Sequence, residues 1–234
     1  IQDATTSVTL DGAVTTQTTV DINSGGTLTQ NAKVDAGTSL DYDAATIGIN
    51  NSIGAGSTVD IDATGGTTIA EAGDITAGDA VTFGANKSGT LTTAGEITTS
   101  NDNVTFTNMV TLQGNVAIDT GAGAGNILFK STVATGDKNL TLDAGASGNI
   151  TADSSITGGG AMTVVDGAVQ KYSGAVTVDS LDIQDATTSV TLDGAVTTQT
   201  TLDIDSGGTL TQNAKVIACL LYTSDAADDT PCVD

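Results

Sequence analysis

Apolar and polar residues alternate in short triplets that recur along the whole chain. In each triplet the first and third residues are apolar and the middle residue is polar, apart from one apolar middle residue at Leu128. A period of two is typical of β-strands, whose successive side chains point to opposite faces. The triplets are Val20–Ile22, Leu40–Tyr42, Val59–Ile61, Val81–Phe83, Val104–Phe106, Ile127–Phe129, Leu140–Leu142, Met162–Val164, Leu181–Ile183 and Leu202–Ile204.

The spacing of the triplets predicts a coiled architecture. Most neighbouring triplets start 19 to 23 residues apart, and the Ile127 triplet marks an additional coil within a 36-residue gap. Two later apolar anchors follow in each coil, such as Leu28 and Val34 after Val20, and glycines that permit turns lie between the anchors. The pattern predicts an all-β, right-handed parallel β-helix with three short strands per coil of about 20 residues. The runner-up is a β-sandwich, which would need antiparallel hairpins.

A long internal repeat sets the domain organisation. Residues 1–34 recur at 183–216 with two changes, since Leu202 replaces Val20 and Asp205 replaces Asn23. The copies are offset by 182 residues, so the chain holds one full period and the beginning of the next. We predict that residues 1–216 form one solenoid repeat region, with about nine coils per period. A single coil buries too few side chains to be stable alone, so stability must come from stacking.

The last part of the chain differs from the rest. It holds the only proline, Pro231, and the only cysteines, Cys219 and Cys232, and its similarity to the first copy stops after Val216. Residues 219–228 resemble the translation of a transposase-type sequencing adapter. We therefore predict that residues 217–234 are a non-native or disordered tail, and we predict no disulfide or metal site from its cysteines.

Charge and missing residue types exclude several function classes. The chain has 28 acidic residues, six basic residues, no histidine and a net charge of −22. Such a chain is a poor partner for nucleic acid or an anionic membrane surface, and no apolar run is long enough to span a bilayer. All six basic residues are lysines, so a Ser-His-Asp triad and a guanidinium clamp are both absent. We predict that the chain is not an enzyme, and a β-helix carbohydrate-active enzyme with paired aspartates stays a third hypothesis.

One group of carboxylates exceeds the acidic background. In three consecutive coils the outward positions of the triplet and the next residue are acidic or amide-bearing, and stacked coils would place them about 4.8 Å apart. Oxygen ligands without His or Cys favour a hard cation such as calcium, and the sequence suggests no other cofactor. The alternative is a solvated acidic face. The candidate calcium ligands are Asp21, Asp41, Asp43, Asp60 and Asp62, and a similar pattern recurs at Asp182, Asp203 and Asp205.

The glycine- and asparagine-punctuated strands resemble a known class of proteins. Residues 116–127 (VAIDTGAGAGNI) and 140–151 (LTLDAGASGNIT) are similar in style and period to repeat regions of filamentous-haemagglutinin-like adhesins and autotransporter passenger domains. The resemblance implies a right-handed β-helix, secretion, and a location outside the cell or at the outer-membrane surface.

These observations lead to two functional hypotheses. The first is a structural and adhesive stalk, whose partners are the neighbouring repeats of the same chain. The alternative is a calcium- or glycan-binding solenoid module that contacts a host or matrix receptor or glycan. Membrane insertion of this part of the chain and binding to nucleic acid are not expected.

Overall fold

The computed structural model describes residues 4–223, and the chain there forms an all-parallel β-solenoid of about ten turns of roughly 20 residues. This confirms the predicted parallel β-helix. The β-sandwich alternative is wrong, because the strands of the described part pair in parallel and form one continuous sheet. No helix occurs between residues 4 and 223.

The strands are short where a coil turns at each corner and long where one strand runs across a corner. The first nine are β1 (Val8–Leu10), β2 (Val14–Thr16), β3 (Val20–Gln30), β4 (Val34–Ala36), β5 (Leu40–Ile49), β6 (Ile53–Ala55), β7 (Val59–Ile69), β8 (Ile75–Ala77) and β9 (Val81–Phe83). The next nine are β10 (Thr90–Thr93), β11 (Ile97–Thr99), β12 (Val104–Phe106), β13 (Val110–Leu112), β14 (Val116–Asp119), β15 (Ile127–Phe129), β16 (Val133–Gly136), β17 (Leu140–Asp143) and β18 (Asn149–Ala152). The last nine are β19 (Ile156–Gly158), β20 (Met162–Tyr172), β21 (Val176–Val178), β22 (Leu181–Leu192), β23 (Val196–Thr198), β24 (Thr201–Ser206), β25 (Thr209–Gln212), β26 (Val216–Ile217) and β27 (Leu220–Thr223).

Each coil contributes to three faces, which we name by their first paired residues. Face A contains the column of paired residues that begins at Val20 and Leu40. Face B begins at Val8 and Leu28, and face C begins at Val14 and Val34. Side chains alternate between buried and more exposed along each strand, and the buried Val, Ile, Leu and aromatic residues form one core through the described coils. The predicted period-two alternation therefore identifies the inward residues.

The widest face changes its position along the solenoid. In the early coils, face A has three inward positions per coil, as in Leu40, Tyr42 and Ala44. From β14 onward, face C has three inward positions, as in Leu140, Leu142 and Ala144, whereas face A has two. Between these regions lie stacked rings on face A: Phe83 and Phe106 lie 5.3 Å apart and Phe106 and Phe129 lie 4.8 Å apart.

This change means that the period does not contain a whole number of coils. On face B, eight successive pairings lead from Val8 to Val176. Val190, the copy of Val8, lies two faces further along, on face A. The period therefore spans eight and two-thirds coils of about 21 residues, which agrees with the predicted number of about nine but is not a whole number. The triplets from Leu140 onward also lie on face C, whereas those from Val20 to Ile127 lie on face A.

Two short strands extend into the predicted tail. β26 ends at Ile217, and β27 pairs with β24 through Leu202 and Leu221. Residues 224–234, which make up the remainder of the predicted tail, lie outside the described residues. The resemblance to an adapter translation stays a prediction.

Candidate functional site

The structure brings together the five predicted aspartates on face A. Asp21, Asp41 and Asp60 are register partners in β3, β5 and β7, and Asn23, Asp43 and Asp62 form the neighbouring row. These two rows are called the first acidic column below. They lie on the wide part of face A because the Val20, Leu40 and Val59 segments each direct three residues inward and two outward. The predicted juxtaposition is therefore present.

A loop from the next coil covers one end of this column. Residues 84–89, here called the cover loop, connect β9 to β10 and carry Asn86 and Lys87. The backbone nitrogen and Nδ2 of Asn86 donate to Oδ2 of Asp62 at 3.1 and 2.7 Å. Lys87 Nζ forms an ion pair with Asp43, and Asn108 Nδ2 donates to the Lys87 carbonyl oxygen at 2.5 Å. The loop thus supplies a positive charge and amide donors to the carboxylates.

The cover loop corrects one expectation about solvent exposure. Alternation predicts that Asp62 faces outward into solvent, but it is only 4% exposed because the cover loop lies over it. Asp41, in contrast, is exposed, and Asp43 and Asp60 are half-buried. The first acidic column is therefore a partly covered surface.

One lysine does not neutralise the whole column. Burial, together with the charges of Asp62 and Asp41, raises the pKa of Asp60 to about 6. The pKa of the exposed Asp41 is also raised, mainly because its surroundings shield the carboxylate from part of the water, and then by the charges of Asp21 and Asp62. The Oδ1 atom of Asp60 is buried without a hydrogen-bond partner. The column therefore holds its charges at a cost in folding free energy.

The chemistry of the column is that of oxygen donors alone. Among the described residues, no group of three or more Asp, Glu, His or Cys side chains is arranged to hold a metal ion. Calcium binding by Asp21, Asp41, Asp43, Asp60 and Asp62 stays a prediction, which calorimetry with calcium would test. Lys87 and Asn86 are two residues of the candidate site that the sequence did not predict. The feature of the sequence that could have indicated them is the position of Lys87. It is one of only six lysines in the chain, and it follows Asn86 in the glycine-bounded segment GANKSG.

The aspartates that repeat this pattern lie on another face. Asp182 pairs with Asp203 in β22 and β24 on face C. Burial and the charges of Asp182 and Asp205 raise the pKa of Asp203. The second copy therefore presents its acidic pattern one third of a turn away from the first acidic column.

A further set of aspartates on face C was not predicted. Asp119 pairs with Asp143, and Asp143 pairs with Asp166. Oδ1 of Asp119 accepts a hydrogen bond from the Gly121 nitrogen at 2.7 Å, and Oδ1 of Asp143 accepts one from the Gly145 nitrogen at 3.0 Å. These two carboxylates stabilise the turns that follow their strands. The sequence could have indicated these two aspartates, because each directly follows an alternating segment, in β14 and in β17.

An uncharged groove follows the acidic part of face A. It has a volume of about 330 Å³ and runs across β12, β15 and β18. An asparagine ladder forms its edge: the Asn126 nitrogen donates to Asn103 Oδ1, and the Asn149 nitrogen donates to Asn126 Oδ1, both at 2.9 Å. The groove is lined by Asn103, Thr105, Asn126, Ile127, Leu128, Asn149 and Thr151.

Comparison with known proteins gives no family. No family model, curated protein or solved structure matches the chain. In residues 4–223 there is no helix of the length and apolar character needed to cross a membrane. The function is therefore argued from the solenoid and its surfaces.

Proposed function

We propose that this chain is a structural and adhesive repeat segment of a large bacterial protein that is secreted or exposed on the cell surface, where it acts as a stalk. A stalk needs a continuous core and a way to grow without a new domain boundary. The adhesin-like or autotransporter-like character belongs to this proposal. It is supported by the period of the repeats and by the glycines and asparagines that lie between their strands.

The main support is that the two copies of the repeat stack with the same register. In the first copy Val8 pairs with Leu28 and Val14 pairs with Val34. In the second copy Val190 pairs with Leu210 and Val196 pairs with Val216. Added copies would lengthen the solenoid by about 4.8 Å per coil while keeping one core.

A surface-display experiment tests the spacer role. The full chain is placed between a membrane anchor and a distal peptide tag on a bacterial cell, and the distance of the tag from a membrane dye is measured by energy transfer. We expect a narrow distribution of distances near the length of the stack, about 48 Å for about ten coils at about 4.8 Å each. A Gly/Ser linker of equal residue number should give a broad distribution of distances, because it is a flexible random coil. Equally broad distributions of distance for the two proteins would contradict a stalk.

The uncharged groove favours a second candidate function, contact with a neutral glycan. Amide and hydroxyl groups beside the half-buried Leu128 offer polar contacts and an apolar patch within a strongly acidic chain. A glycan array would identify a ligand, and Leu128→Lys, which fills the groove, should abolish its binding. Thr15→Lys, on face C near the other end of the solenoid, is the matched control. This candidate function would be rejected if no glycan on the array binds the protein. It would also be rejected if a glycan binds the Leu128→Lys variant as well as it binds the parent.

A further inference from the structure

The described C-terminal coils end in an apolar edge whose first-copy counterpart is covered. Leu28 is fully buried because Ile47 of the next coil stacks on it. Leu210, the identical position in the second copy, is 40% exposed, and Val216 is half-buried where Val34 is fully buried. The same sequence therefore offers the same stacking surface, and no residue between 4 and 223 pairs with Leu210 or Val216 as Ile47 and Ile53 pair with Leu28 and Val34.

The occupant that this edge fits is already present in the structure. In the first copy, the edge of Leu28 and Val34 receives Ile47 and Ile53, which follow in the chain. The neighbouring strand of the second copy also stacks as its first-copy equivalent does. Leu202, the equivalent of Val20, pairs with Leu221 of β27, whereas Val20 pairs with Leu40 of β5. The edge accepts a strand even from a sequence that departs from the repeat.

We propose that this edge receives a further copy of the 182-residue period, so that successive copies form one continuous solenoid in which each copy is turned by one third of a turn. Residues 183–216 then take the role of residues 1–34, and the segment equivalent to residues 35–53 stacks on them. The turn follows from the period of eight and two-thirds coils.

This arrangement determines how the surfaces are displayed. The first acidic column lies on face A, and the corresponding Asp203 and Asp205 lie on face C. A third copy would place them on face B. Equivalent surfaces would return to the same side of the solenoid only after three copies, so a large partner could engage every third copy from one side.

The joining of copies is tested in a lengthened protein made of residues 1–216 followed directly by residues 35–234, with Cys219 and Cys232 changed to Ser. Asp203→Cys is combined with a cysteine at Asp41 of the added copy. Paired residues in neighbouring parallel strands lie about 4.8 Å apart, within the Cα separation that a disulfide allows. We expect an intramolecular disulfide on mild oxidation, detected by mass spectrometry.

Two further pairs of cysteines serve as positive and negative controls for the disulfide test. Asp21→Cys with Asp41→Cys in the original chain is the positive control, because these residues are register partners. Asp203→Cys with a cysteine at Asp60 of the added copy is two coils apart and should not form a disulfide. No Asp203–Asp41 disulfide, or an added copy that a protease digests while the first copy persists, would overturn the proposal. The spacer function is tested separately, since copies could join in register and still fail to hold a tag at a fixed distance from a cell.

Discussion

At the residue scale, Asp60 shows how the first acidic column affects stability. Its pKa of about 6 exceeds the ordinary value for an aspartate, so the folded state binds more protons than the unfolded state between about pH 4 and 6. Stability should therefore rise as the pH falls from 7 to 5. We expect Asp60→Asn to stabilise the protein by about 1 kcal/mol at pH 7, after allowance for solvent screening, and to reduce this pH dependence. Urea unfolding at pH 7 and pH 5 measures both effects.

A control for Asp60 is an aspartate with the opposite shift. The hydrogen bond from Lys138 lowers the pKa of the exposed Asp137, so Asp137→Asn should bring no gain in stability at pH 7. If Asp60→Asn and Asp137→Asn behave alike, burial and repulsion within the first acidic column do not destabilise the protein at Asp60.

Lys87 is the positive charge that the cover loop supplies to the column. Lys87→Met should destabilise the protein by about 1 to 2 kcal/mol at pH 7, because the half-buried Asp43 then loses its ion pair. Lys33→Met is the matched control, since Lys33 and Asp35 form a more exposed pair and its loss should cost less than about 0.5 kcal/mol. Thermal unfolding with and without calcium gives a second result. If calcium raises the melting temperature of Lys87→Met more than that of the parent, the calcium prediction gains support, and no shift in either protein counts against it.

The residue-scale site could be predicted only in part. Alternation identified Asp21, Asp41 and Asp60 as outward neighbours, because a period of two fixes which side of a strand each residue faces. The burial of Asp62 depends on a loop from a later coil, and no local pattern indicates which way residues 84–89 fold. Long-range contacts of this kind are set by the complete stack.

At the element scale, the glycines at the corners are limited by the backbone of the coil below. A Cβ on Gly160 would lie 1.8 Å from the Lys138 carbonyl oxygen, whereas a Cβ on Gly159 would lie 3.5 Å from the nearest atom, an ordinary contact. Gly160→Ala should therefore lower the free energy of unfolding by at least about 2 kcal/mol, and Gly159→Ala should change it by less than about 0.5 kcal/mol. Chemical unfolding of both variants compares neighbouring positions in one loop. Equal effects would show that the corner adapts to an added methyl group.

The elements themselves were largely predictable, but their assignment to faces was not. Each apolar triplet became a strand, because alternation reports inward and outward positions along one strand. The triplets at Val104 and Leu140 look alike but lie on faces A and C. The face on which a strand lies depends on how many corners the chain has turned before it. The number of corners depends in turn on small differences in the lengths of the connecting segments, which the triplets do not report.

At the scale of the whole molecule, the change of the wide face from A to C decides how copies of the period are oriented. If β14 stacked directly on β9, the period would hold eight whole coils with its wide strands on one face, and Thr82 of β9 would lie beside Ala117 of β14. The structure instead pairs Thr82 with Thr105, and Thr105 with Leu128.

Disulfide formation distinguishes the two arrangements of the coils in the full chain, with Cys219 and Cys232 changed to Ser. All four test positions are half-buried middle residues of their strands, so each substitution perturbs the core little. We expect Thr105→Cys with Leu128→Cys to form a disulfide readily, because register partners in parallel strands satisfy the disulfide geometry. Thr82→Cys with Ala117→Cys should stay reduced under the same conditions. The reverse result would place the wide faces in one continuous stack, restore a whole number of coils to the period, and remove the turn of one third between copies.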